Sequence, residues 1–191
     1  MLSKDLIDKK GKILLLVCCA PCCAGVVDFI AEHKLDFTLF FYNPNIYPKE
    51  EYIHRKNEVI RLAKLYNIPF IDSDYEPNVY EKVTRGLGIC AERGGRCFIC
   101  FSLRLLKTAL YARSHGFDYF SSTLAFSRWK DINQVDTAGF EVEHRTSMPY
   151  LDINWRKCGI QERARKVVKE NNIYEQNYCG CIYSFQKRKP E

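Results

Sequence analysis

The chain of 191 residues is 47% hydrophobic and 27% charged, enough for one domain with a core and too highly charged for a membrane bundle. Its 29 basic and 23 acidic residues leave a net charge of +6, which permits a polyanionic partner but falls short of the isoelectric point above about 9 that marks a dedicated nucleic-acid-binding domain. Ten cysteines are too sparse for a secreted disulfide scaffold and too many for packing alone, so chemistry is expected of them.

Lys9, Lys10 and Lys12 precede an apolar run that ends in cysteine, as in a lipoprotein signal. The run from Ile13 to Val17 is shorter than the roughly 7–15 residues of a signal core, and Asp5 and Asp8 put acid where a signal is basic. No later stretch approaches the roughly 18 apolar residues of a spanning helix, so a cytoplasmic location is expected. In that compartment clustered cysteines are metal ligands or redox groups more often than structural disulfides.

Ile13 to Val17 predicts a strand buried on both faces, followed by a helix over Ala24 to His33. Phe37 to Tyr42 predicts a second strand, broken by Asn43-Pro44-Asn45. Pro48 with Glu50 and Glu51 marks a helix start, with the helix running to about Tyr66. Pro69 to Ile71 reads as a third strand and Asn78 to Thr84 as a helix. A connection rich in glycine, with Gly86, Gly88, Gly94 and Gly95, leads to a helix over Cys97 to Ser114, where Phe98, Phe101, Leu105 and Ala109 recur on one face. Tyr119 to Ser122 is the next strand. Strands alternating with helices imply one α/β domain over residues 1–191, with a parallel sheet, flanking helices and a short basic tail from Gln186 to Glu191. Ligands of such sheets gather beyond the carboxyl ends of the strands, where the first cysteines fall.

Three cysteine clusters stand out: Cys18-Cys19-Ala20-Pro21-Cys22-Cys23, Cys97-Phe98-Ile99-Cys100 and Cys179-Gly180-Cys181. Isolated Cys90 and Cys158 read as small buried hydrophobes. Cys97 and Cys100 share a helix face near a helix N-terminus, which stabilises thiolates. Cys19 and Cys22 form a second CxxC. Two such pairs suit a tetrahedral zinc, and four thiolates from two segments equally suit a [4Fe–4S] cluster. A thioredoxin-like reading of Cys19 and Cys22 leaves Cys18 and the other clusters unused. A disulfide across Cys179-Gly180-Cys181 would close a small strained ring, and strained disulfides are the reducible ones.

Together, Cys18-Cys19-Ala20-Pro21-Cys22, Tyr42-Asn43-Pro44-Asn45-Ile46, Cys97-x-x-Cys100-Phe101 with Arg104, Ser122-Thr123-Leu124 with Ser127 and Lys130, and Tyr178-Cys179-Gly180-Cys181 resemble the QueH-type epoxyqueuosine reductase family from about Leu14 to Ser184. The resemblance implies a HUP or PP-loop-like fold whose first loop carries cysteines in place of a phosphate loop, which argues against ATP use. It also implies reduction of epoxyqueuosine to queuosine in tRNA, the last step of queuosine synthesis, without cobalamin. On that pattern Cys18, Cys19, Cys97 and Cys100 bind a [4Fe–4S] cluster, and Cys179 with Cys181 forms a redox-active pair. A second mononuclear iron is also implied, to which Cys22 or Asp131 could contribute. Asp131 is further a candidate proton source, and the electron donor is unknown.

For the tRNA partner, the basic stretch Arg156 to Glu170 places Ile160, Ala164 and Val167 inward and leaves Arg163, Lys166 and Lys169 for phosphates. Tyr42, Tyr47 and Tyr52 are candidate stacking partners for an unpaired base. The competing functions are a zinc-stabilised RNA-binding module without catalysis and a thioredoxin-like thiol exchanger. If the Cys-Gly-Cys pair serves an epoxide, the segment Tyr178 to Phe185 must pack against the carboxyl end of the sheet.

Overall fold

A computed structural model describes residues 4–187. Four parallel strands, β1 (Ile13–Leu16), β2 (Phe37–Phe41), β3 (Phe70–Asp72) and β4 (Tyr119–Ser122), form a sheet in the order β3-β2-β1-β4. Central β1 pairs with β2 from Ile13 opposite Phe37 to Leu16 opposite Phe40, and with β4 from Ile13 opposite Tyr119 to Leu16 opposite Ser122. The helices are α1 (Ala20–Glu32), α2 (Lys49–Leu65), α3 (Pro77–Thr84), α4 (Gly95–Ser114), α5 (Ile132–Thr146), α6 (Ile160–Glu170) and α7 (Ile182–Gln186).

Successive strand side chains point to opposite faces, so the unbroken apolar run of β1 feeds two cores. Ile13, Leu15 and Val17 join Val26, Phe29 and Trp155 under α1, α2 and α6. Leu14 and Leu16 join Phe40, Leu105 and Phe120 under α4 and α5. α1 and α6 meet backbone to backbone at Gly25, where a Cβ would run into the carbonyl oxygen of Ile160 and the amide nitrogen of Ala164.

Two boundaries differ from expectation in ways that bear on the site. α1 opens at Ala20 rather than Ala24, because Pro21 fits a first turn whose N–H groups have no intrahelical partner. That places Cys22 and Cys23 inside the helix. Of the basic stretch Arg156 to Glu170, only Ile160–Glu170 is helical as α6, with Gly159 at its N-cap in the left-handed region at φ +76°. β2 ends one residue early, and β3 sits one residue later than expected. α5 and α7 were not anticipated, although Val135, Ala138 and Val142 give α5 a buried face. Of the expected basic tail, Gln186 ends α7 and Lys187 follows it; residues 188–191 lie outside the described residues. Among the described residues no helix is long and apolar enough to cross a membrane.

Candidate active site

β1 runs directly into the first thiols. Cys19 is the N-cap of α1 and Cys22 lies in its first turn. The sulfurs of Cys18 and Cys19 are 3.6 Å apart, and those of Cys18, Cys19 and Cys22 all lie within 4.8 Å of one another, each residue buried. Cys23 turns away, donating its thiol hydrogen to the carbonyls of Cys19 and Ala20 within the core.

A second group forms around α4. Cys97 and Cys100, three residues apart in its first turns, line a small enclosed cavity of about 20 Å³ together with Cys179 and Cys181. The C-terminal segment therefore reaches the carboxyl end of the sheet, as a pair serving the site requires. The Tyr47 amide donates to the Gly180 carbonyl at 2.7 Å, the Tyr178 hydroxyl to the Tyr47 carbonyl at 2.5 Å, and Gln176 Nε2 to Cys19 Sγ at 3.1 Å.

The Arg55 guanidinium, only 2% exposed, fastens the segment: Nη1 donates to the Cys179 carbonyl at 3.1 Å and Nη2 to the Tyr178 carbonyl at 3.3 Å, while Nε is held by Glu51 at 2.6 Å. Gly180 adopts φ +119°, and a Cβ there would lie 2.9 Å from Arg55 Nη1, so position and conformation both call for glycine.

Two buried cations face both thiol groups. Lys130 places Nζ 3.8 Å from Cys18 Sγ and also lines the cavity of the other four cysteines. Arg104, lining the same cavity, donates to the carbonyl of Tyr42 at 3.3 Å and to Asn43 Oδ1. Asn43 in turn donates to the Val17 carbonyl at the end of β1. Neither cation pairs with a carboxylate among the described residues. Hydrogen bonds from Cys19 and Cys22, with the charges of Lys130 and Arg104, hold the Cys18 thiol well below its ordinary range. The same sharing pushes Cys19 up to about 12 and Cys22 well above the usual thiol value. Burial raises Cys97 and Cys179, and pushes Cys100 up to about 12. Burial alone would lower Lys130, but the thiolates of Cys18 and Cys179 outweigh it and hold its ammonium above the ordinary lysine range.

Thiolate ligands must shed their protons, and buried cations without carboxylate partners favour an anionic occupant. The donor set and its charge environment thus fit an iron–sulfur cofactor. Of the residues expected to ligate, Cys18 and Cys19 come together with Cys22, whereas Cys97 and Cys100 stand with Cys179 and Cys181 outside that compact group. Asp131 is exposed at the N-cap of α5, where Oδ1 accepts the Asn133 amide at 2.9 Å.

Other expectations need correction. Tyr42 and Tyr52 are buried, with Tyr52 stacked on Tyr75, and only Tyr47 of the three is substantially exposed. Arg163 is bound to Asp28 at 2.7 Å and Glu32 at 2.5 Å, joining α6 to α1 rather than facing solvent for phosphates, while Lys166 and Lys169 are exposed. Cys158 is exposed and Cys90 half-buried, so neither is a core thiol. Arg55 and Gln176 were not anticipated, since each reaches the site across more than a hundred residues of chain.

A parallel α/β sheet whose first loop presents a group of buried thiols at its carboxyl edge defines an α/β protein with a candidate thiolate site. Its fold is similar to that of the U34-tRNA thiolase NcsA from Methanococcus maripaludis, solved with its [4Fe-4S] cluster, with a TM-score of 0.55 at 9% identity, covering 95% of this chain and 63% of that one. Residues 13–187 match the family model described as Epoxyqueuosine reductase QueH. The chain belongs to that family. It is 45% identical to the epoxyqueuosine reductase QueH of Haemophilus influenzae over 95% of this chain and 75% of the relative. It is 43% identical to that of Acinetobacter baylyi (94% and 83%) and 33% identical to that of Thermotoga maritima (94% and 93%).

Proposed function

We propose that this chain reduces epoxyqueuosine to queuosine in tRNA. Family membership supports the reaction, and the observation that carries it to this site is the three-thiol group of Cys18, Cys19 and Cys22 set against the buried ammonium of Lys130. The conversion breaks both carbon–oxygen bonds of the epoxide and takes up two electrons and two protons, leaving an alkene and water.

Cys179 and Cys181 as dithiols balance it: their sulfur–sulfur bond forms, two electrons pass to the substrate, and the two thiol protons leave with the oxygen as water. An external reductant then restores the pair. Cys18, Cys19, Cys97 and Cys100 would hold a [4Fe–4S] cluster, with Cys22 and Asp131 reaching a second iron. Bound there, iron supplies single-electron transfer and a Lewis acid for the departing oxygen.

Lys130 sets a fixed positive charge between the two thiol groups, where negative charge on the departing oxygen would develop. Asp131, whose Oδ1 caps α5, would carry a proton through its second carboxylate oxygen. Lys166 and Lys169 offer exposed charge for tRNA phosphates.

The test is anaerobic purification, assay of iron, sulfide and zinc, and mass spectrometry of nucleosides from tRNA carrying epoxyqueuosine. A brown, sulfide-containing protein that forms queuosine is expected. A colourless zinc protein without turnover would overturn the reading.

A further inference from the structure

We infer that the cleft in front of Cys179 receives the unstacked epoxyqueuosine base, with Trp129 as its stacking surface and Glu92 as the partner of the amine in its side chain. The inference rests on the function proposed above and concerns how the substrate is seated.

Two spaces lie in series beside Cys179. An outer open cleft of about 380 Å³ is walled by Trp129 and Tyr178, with Lys187 at its edge. An inner chamber of about 30 Å³ reaches Cys97, Lys130 and Cys181. Glu92, Trp129 and Cys179 line both, and so form the neck between them. The outer cleft falls in the roughly 300–1,000 Å³ range of small-molecule sites. The inner chamber is too small for a nucleobase, so a base must stop at the neck and send only its reacting end inward.

The walls suit a base. Trp129 is 61% exposed, yet its loop is pinned: Arg93 donates to the carbonyls of Trp129 and Arg128, and Arg156 donates to those of Ser127 and Lys130. The Arg128 guanidinium lies over the ring at 5.0 Å from its centroid, and an aromatic ring held by its backbone and still largely exposed is a surface for another flat ring. The Tyr178 ring, which lines the same cleft, is fixed by its hydroxyl on the Tyr47 carbonyl and by an edge contact with Phe185.

The order of groups along the path matches the order of groups in the substrate. Epoxyqueuosine consists of a deazaguanine base, then an aminomethyl link, then the epoxide-bearing ring. The amine is a cation at neutral pH. Glu92 makes no hydrogen bond or ion pair with any described residue, and it stands at the neck, between the aromatic walls and the inner thiols, where the amine falls when the epoxide points at Cys179 and Lys130. Guanosine at the same tRNA position lacks that amine.

The experiment compares the parent with Trp129→Ala, Trp129→Phe, Glu92→Gln and Glu92→Asp, using anticodon stem-loops that carry epoxyqueuosine or guanosine. Of the two tryptophans Trp155 is buried, so quenching of Trp129 fluorescence by either stem-loop is expected in the parent and lost in Trp129→Phe. Trp129→Ala should raise KM about ten-fold, as befits the loss of one stacked base, with kcat nearly unchanged and with rescue by Trp129→Phe. Glu92→Gln should weaken the epoxyqueuosine stem-loop about ten-fold and leave the guanosine stem-loop unchanged, with partial rescue by Glu92→Asp.

Iron and sulfide content should stay at the parent level in all four variants. Parental KM in both Trp129→Ala and Glu92→Gln, or equal weakening of both stem-loops by Glu92→Gln, overturns the inference. A parent that quenches with the stem-loop yet forms no queuosine overturns the proposed reaction instead and leaves the cleft standing.

Discussion

Arg55 grips the backbone of Cys179 from a position 124 residues earlier in the chain, through an Nη1 to carbonyl hydrogen bond of 3.1 Å. The fork is oriented by Glu51, whose other carboxylate oxygen accepts the Tyr174 hydroxyl at 3.0 Å, so one buried ion pair organises the whole approach to the Cys-Gly-Cys motif. Arg55→Met leaves Glu51 without its cation and two carbonyls without donors. A loss of about 3–5 kcal/mol in unfolding free energy is expected by urea titration. Arg55→Lys keeps the charge but not the planar fork, and should recover only part of that loss.

Replacing any one of Cys18, Cys19, Cys97 or Cys100 by Ala should lower bound iron and sulfide and bleach the visible absorption. Four variants that all retain full cluster content would sink the ligand assignment and direct attention to the compact group that includes Cys22.

Cys179→Ser and Cys181→Ser should behave differently, keeping iron and sulfide near the parent level while multiple-turnover formation of queuosine fails. Turnover at the parental rate with the same reductant would make the motif structural, with electrons arriving through the cluster alone.

Acid should loosen the approach to the motif before it unfolds the core. The hydrogen bond from Arg61, aided by the Tyr174 amide at 3.1 Å, holds the Glu58 carboxyl below its ordinary value. A folded pKa below the unfolded one gives stability that is present above the unfolded value, about 4.3, and is lost as the pH falls through the folded value. Hydrogen exchange at the Tyr174 amide should accelerate in that window. Glu58→Gln should remove the acid step, and an unchanged step in this variant would show that Glu58 does not hold the segment at Tyr174.

Much of the architecture was legible because its signals are local. The apolar run of β1, the broken strand at Asn43-Pro44-Asn45 and the spacing of Cys97 and Cys100 each lie within a few residues, and each found its expected place. The surroundings of the thiols were not legible, because they are assembled across the chain. Lys130 meets Cys18 over 112 residues and Gln176 meets Cys19 over 157, and no periodicity encodes such a meeting. Arg163 was misassigned for the same reason. Its helix is basic, but Asp28 and Glu32, which claim its guanidinium, sit on α1. α1 opens four residues before the expected Ala24, since a proline such as Pro21 is harmless in a first turn.

The contact at Gly25 has a practical consequence for anyone screening variants of this protein. Side chains can be squeezed or rotated, but two backbones in contact have no slack, and the backbone of α6 lies directly on α1 at this glycine. Even a methyl group there must lever α1 away from α6, and the first turn of α1 carries Cys22 only three residues upstream. Gly25→Ala is a packing error with no ligand chemistry of its own, yet it would surface in a colour-based screen among the bleached colonies, beside true ligand mutants. Refolding data, rather than metal content, would tell the two kinds apart.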